Sequence, residues 1–159
     1  MPSRIFTKHG FTLIELSMVM LLIALLAAIA IPGFRGLYGK YNLELAALQM
    51  RQEIRALSQE SLRREHPGYQ ITFDITEASY TVIGPEGRRR VTMPPGIELV
   101  QTNFDTNAMS FTATGILSGK GGHVSLRDKV SGKFKWVVVT PVTGRVRISD
   151  TQPDDDEEN

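Results

Sequence analysis

The hydrophobic pattern changes its period along the chain. Residues 11–31 are apolar apart from Thr12, Ser17 and a single charge, Glu15. As a helix these 21 residues extend about 32 Å at ~1.5 Å per residue, enough to cross a hydrocarbon layer of ~30 Å. Pro32 and Gly33 follow, and Gly36 and Gly39 continue the punctuation. Glycine costs ~1 kcal/mol per helical position against alanine, so this stretch predicts either a hinge or a plain boundary between two helical segments. A helical period then returns. Leu43, Ala47, Met50, Ile54, Leu57 and Ser61 recur at alternating steps of four and three, whereas Gln52, Arg55, Gln59 and Arg63 fall elsewhere. That is one core-facing stripe on an amphipathic helix, ended by Pro67-Gly68.

Beyond residue 68 the period is two. Tyr69, Ile71, Phe73 and Ile75 alternate with Gln70, Thr72 and Asp74, and Tyr80 and Val82 repeat the pattern. Gly84-Pro85-Glu86-Gly87 reads as the turn of a hairpin leading into residues 90–93. Further strands are predicted at 97–101, 109–112, 124–127, 134–140 and 145–148. The fold class is therefore α+β: a long N-terminal helix, its first half membrane-spanning, docked on a small antiparallel β-domain of one or two sheets. The predicted organisation is 1–10, 11–31, 32–66, 67–149 and 150–159. The last of these is read as a disordered acidic tail.

The 159 residues contain no cysteine, which excludes a disulfide framework, a thiolate nucleophile and cysteine-built metal sites. The net charge of +1 hides an asymmetry. Six of the 17 acidic residues lie in the last ten positions, whereas residues 80–149 carry ten basic side chains against four acidic ones. The body is basic and the tail acidic.

Residues 1–10 are short and polar, with Arg4 and Lys8 and no acid. Basic residues ahead of a span keep the N-terminus in the cytoplasm and place the rest of the chain outside. Three readings of the span compete. A cleaved signal peptide is offered by the small residues of Ala28-Ile29-Ala30, a plain anchor by the length alone. The third explains Glu15. A carboxylate in lipid costs ~2.5 kcal/mol or more at a helix centre and less near an end. Either it snorkels to the headgroups or it finds a cation. Cleavage between Gly10 and Phe11 would create an α-amine at Phe11, and on a staggered neighbouring copy that amine would pair with Glu15. Removing one partner of such a pair costs about 3–5 kcal/mol, so the acid would set the register between subunits.

Lys8-His9-Gly10-Phe11-Thr12-Leu13-Ile14-Glu15-Leu16 resembles the processing site of type IV pilins and type II secretion pseudopilins. The resemblance implies cleavage after Gly10 by prepilin peptidase, N-methylation of Phe11, and assembly through Glu15 with other major and minor pilin-like subunits. Phe111-Thr112-Ala113-Thr114-Gly115, the strand at 124–127, Trp136-Val137-Val138-Val139-Thr140 and Gly144-Arg145-Val146-Arg147-Ile148 resemble the GspH/FimT group. That narrows the expectation to a minor pseudopilin of type II secretion, resident in the inner membrane until extracted into a pseudopilus. The alternative is a T-type minor pilin of a type IV pilus that takes up DNA through its C-terminal arginine strand.

Other chemistry is thin. Residues 115–121 resemble a phosphate loop but miss its spacing and the hydroxyl after Lys120. Glu86, Glu98, Asp105 and Asp128 read as surface acids. Trp136 reads as core. Arg145 and Arg147 alternate along one strand and so share a face. With Arg88, Arg89, Arg90 and Lys133 or Lys135 they would form a basic surface for DNA, or simply a solvated or subunit-facing strand. No enzyme, cofactor, metal or small-molecule substrate is expected.

Overall fold

The computed structural model describes residues 11–141 and 144–154, without the side chains of residues 32–35. The expected leader, including Gly10, and the acids at 155–158 lie outside the described residues. Two compact units make up the chain, Met1–Arg35 and Gly36–Asn159. Helix α1, Leu13–Arg64, contributes to both.

In the second unit the predicted stripe is the core face of the helix. Leu43, Ala47, Met50, Ile54, Leu57 and Ser61 are all buried, and the Ser61 hydroxyl is satisfied by the Ser58 carbonyl at 3.0 Å. Gln52, Arg55, Gln59 and Arg63 are exposed. Truncating any one of the large members would cost about 2–5 kcal/mol.

Among the described residues nine strands form two antiparallel sheets: β1 (Tyr69–Asp74), β2 (Ser79–Gly84), β3 (Gly87–Thr92), β4 (Ile97–Thr102), β5 (Ala108–Phe111), β6 (Leu117–Ser118), β7 (Gly122–Asp128), β8 (Phe134–Val139) and β9 (Val146–Ser149). The five-stranded sheet has the order β3-β2-β1-β5-β6 and the four-stranded sheet β4-β7-β8-β9. In β1 the period of two is fully expressed: Tyr69, Ile71 and Phe73 are buried and their alternates half-buried. Opposite them, Val82 faces Ile71 and Tyr80 faces Phe73. Leu99, Val124, Leu126, Val137, Val139 and Val146 supply the second sheet's contribution to the same core.

Two close approaches fix the helix on this unit. Gly39 is buried against β7, where an added Cβ would stand 2.5 Å from Asp128 Oδ2. Gly115 is in the left-handed region at φ +74°, and an added Cβ would stand 2.7 Å from the Ser58 carbonyl oxygen. Ser58 Oγ donates to the Gly115 carbonyl at 2.6 Å. Gly39 thus has a packing reason to be glycine: the Asp128 carboxylate occupies the space beside it.

Asp128 differs from the surface residue expected. It is fully buried. The Ser131 hydroxyl donates to Oδ2 at 2.5 Å, and the Ser131 and Val130 N–H groups donate at 3.1 Å each. The Ser131 hydroxyl, joined by those two amides, holds its carboxyl below the usual range against the opposing effect of burial. Glu86 and Glu98 also have partners, Arg64 for the first and Arg127 for the second. Asp105 is exposed as expected.

Candidate functional site

Among its described residues the first unit presents an exposed apolar surface. Leu13–Ile31 is long and apolar enough to span a membrane, with mean hydropathy 2.7, and none of its hydrophobic window is buried. Phe11 and Leu13 are each 88% exposed.

At the start of the helix, Thr12 and Glu15 form a reciprocal cap. Thr12 Oγ1 accepts from the Glu15 N–H at 3.2 Å, and Glu15 Oε2 accepts from the Thr12 N–H at 3.2 Å and its hydroxyl at 3.4 Å. This is a capping box, in which two otherwise orphaned backbone donors are satisfied together. Such a cap contributes ~1 kcal/mol to the helix, and an acid in the first turn also suits the positive end of the helix dipole. The Thr-x-x-Glu spacing was visible in the sequence as a local partner for Glu15. It changes the argument, because the acid is not wholly orphaned in a lone chain. The full charge nevertheless remains, and both bonds end on Oε2. Among the described residues Oε1 accepts no hydrogen bond.

The expected basic surface is less uniform than its composition. Arg88, Arg89 and Arg90 lie on β3, an exposed edge strand. Arg89 Nη2 stands 2.6 Å from Glu53 Oε2. Arg90 pairs with Glu77, lies 3.6 Å from Asp74 and donates to Ser79 Oγ at 2.9 Å. Charged side chains on an edge strand discourage pairing with another sheet, so this run has a structural use without any ligand. Arg147 lies on β9, an edge of the other sheet. Arg145 precedes that strand, its carbonyl accepting from the Thr140 N–H at 3.0 Å.

Lys135 cannot serve the basic surface as expected. Its ammonium stands 2.8 Å from Glu44 Oε2 and 2.7 Å from Asp150 Oδ1, with the side chain 14% exposed. Burial opposes its charge, but Asp150 and Glu44 together outweigh burial and raise its pKa. Trp136, expected in the core, is half-buried and stacked on Phe134 with centroids 5.5 Å apart. The residue at the head of the tail, Asp150, is held by Lys135, and Pro153 is buried.

Residues 6–31 match the family model of the prokaryotic N-terminal methylation motif. The minor pseudopilin EpsH from the Type 2 Secretion System of Vibrio cholerae superposes with a TM-score of 0.53. The match covers 68% of this chain and 96% of that one at 13% identity. The fold is pilin-like. The N-terminal methylation motif and the pilin-like α+β fold thus occur in one chain. No match to a curated protein sequence was found.

Proposed function

We propose that this pilin-like chain is a minor pseudopilin, a structural subunit and not a catalyst, assembled into the pseudopilus of a type II secretion system. In this reading prepilin peptidase cuts between Gly10 and Phe11, and Phe11 is N-methylated. Before assembly the span at 11–31 holds the subunit in the inner membrane with its leader in the cytoplasm and its β-rich unit outside.

The observation that carries the reading is the divided carboxylate of Glu15. One oxygen caps its own helix, and the other accepts nothing from the described residues, on a segment whose apolar surface is wholly uncovered. An α-amine freed at Phe11 of an adjacent copy has the charge and the donors to complete it. In a water-poor helical bundle that pair is strongly directional, because charges interact far more strongly where the dielectric is low. The uncovered apolar side chains supply the bulk of the association, and the ion pair selects the stagger.

Mass spectrometry of the mature protein from membranes containing prepilin peptidase tests this. The expected N-terminus is methylated Phe11. A chain beginning at Ile31 would make the segment an ordinary signal peptide, and one still beginning at Met1 would make it a plain anchor.

A further inference from the structure

The four-stranded sheet has two faces, and only one belongs to the core. Val124, Leu126, Val137, Val139 and Val146 point into it. Lys135, opposite Leu126, meets Glu44 of α1 on that same side, so the helix covers the inner face and not the outer one. On the outer face His123 stands opposite Val138 and Ser125 opposite Trp136. Val138 and Trp136 in turn stand opposite Arg147 and Ser149. Directly opposed residues share a face. An antiparallel sheet packed on one side commonly leaves the other to water, yet this outer face is covered. Val138 is 0% exposed although it stands outside the core, and Ser125 and His123 are buried at 4% and 7%. A further segment of the chain therefore lies over them.

The chain after β9 turns toward this face. Ser149 belongs to it, and the Ser149 hydroxyl accepts from the Thr151 N–H at 3.2 Å and donates to the Thr151 carbonyl at 2.8 Å. Asp150 goes the opposite way, to Lys135 on the inner side. Pro153, two residues beyond Thr151, is buried. Every position from 154 to 158 is then acidic. On the outer face Arg127 is taken by Glu98 and rests over the Phe134 ring, 5.7 Å from its centroid. Arg147 stands beside Val138, Arg145 precedes the strand, and neither is free. A carboxylate is the acceptor whose geometry fits the guanidinium fork.

We propose that the chain's own acidic end is the occupant of this outer face. Pro153 closes over the apolar middle at Val138 and Trp136, and carboxylates from residues 154–158 are held by Arg147 and Arg145. The face is then a docking surface filled from within, and an anionic partner reaches the two arginines only by displacing the strap. Covalent continuity places the strap beside its seat, because Thr151 is already bonded to an outer-face side chain, and charge complementarity favours the acidic run as its outer part. The inference is independent of the pseudopilin reading.

Trp136 is the chain's single tryptophan and stands on the proposed seat, so its fluorescence reads the cover. The test uses the full chain in detergent micelles at low salt, with acrylamide as a neutral quencher and iodide as an anionic one. Removing residues 151–159 should shift the Trp136 emission to the red and steepen quenching by acrylamide, and by iodide still more. A chain with Asp154→Asn, Asp155→Asn, Asp156→Asn, Glu157→Gln and Glu158→Gln should move the same way by a smaller amount, and it carries the test if the truncated chain fails to fold. Arg147→Gln should add nothing to that neutralised chain, because both act on one contact. Sodium chloride at about 1 M, where the screening length is ~3 Å, should steepen acrylamide quenching of the parent and leave the neutralised chain as it was. Arg88→Gln, on the other sheet, should change nothing. The proposal is overturned if acrylamide quenches Trp136 equally in the parent and the truncated chain. It is overturned also if the neutralised chain is quenched by acrylamide as the parent is, since the acids would then hold nothing.

Discussion

A β-carbon on Gly39 would stand 2.5 Å from Oδ2 of Asp128 and 2.8 Å from its Oδ1. The carboxylate cannot swing aside cheaply, since Ser131 and Val130 hold it from the other side. Gly39→Ala in a helix would ordinarily gain ~1 kcal/mol. Here it should instead destabilise by about 1–3 kcal/mol, the range for overpacking. Urea unfolding of the full chain measures it. Combined with Asp128→Ala, the two losses should sum to more than the double variant shows, because both act on one contact.

Glu15 has two duties that substitution can part. Glutamine is accepted at the third helical position of a capping box, so Glu15→Gln should keep the helix start and remove the charge. Thr12→Ala should do the reverse. If the charge selects subunit stagger, Glu15→Gln will insert in the membrane normally but enter filaments poorly, and Thr12→Ala will be incorporated nearly as the parent. Quantitative blotting of sheared filaments and of membranes reads both. Normal incorporation of Glu15→Gln would reduce the acid to a cap.

Acid should loosen the end of α1. Hydrogen bonds from Arg63 and then Arg64 pull the Glu60 carboxyl from 4.5 to about 2. A lowered folded value means that its contribution is complete above pH 4.5 and is lost as pH falls toward 2. The cluster is exposed, so the effect is small. The unfolding midpoint should decline across that window, and Glu60→Gln should flatten the decline. An unchanged slope would mean that the Glu60 contact is absent in solution.

For the DNA alternative, the pseudopilin reading expects no salt-sensitive retention of DNA by the full chain in a gel-shift assay. Retention abolished by Arg145→Ala with Arg147→Ala would transfer the chain to that alternative.

The sequence was most legible where a period ran long enough to select a face. The stripe from Leu43 to Ser61 and the alternation at Tyr69, Ile71 and Phe73 are buried as their spacing predicts. Two-residue β6 had no period to show, and it forms because Phe111 and Ser110 offer it partners. Asp128 reads as a surface acid because the glycine that leaves room for it lies 89 positions away, although its donors, Val130 and Ser131, are its near neighbours in sequence. The basic residues were legible as a composition but not as a surface, since Glu44, Glu53 and Glu77, remote in sequence, neutralise Lys135, Arg89 and Arg90. At the candidate site a local partner was legible as well: Thr12 stands three residues before Glu15, the spacing of a capping box.

The cap at Thr12 is internal to each chain, which bears on the time between synthesis and use. A solitary copy already shields part of its awkward charge with its own backbone, so lipid can store it without a companion. Supply and demand would then need no common clock: under the proposed function, a reserve in the bilayer would be drawn down whenever export begins.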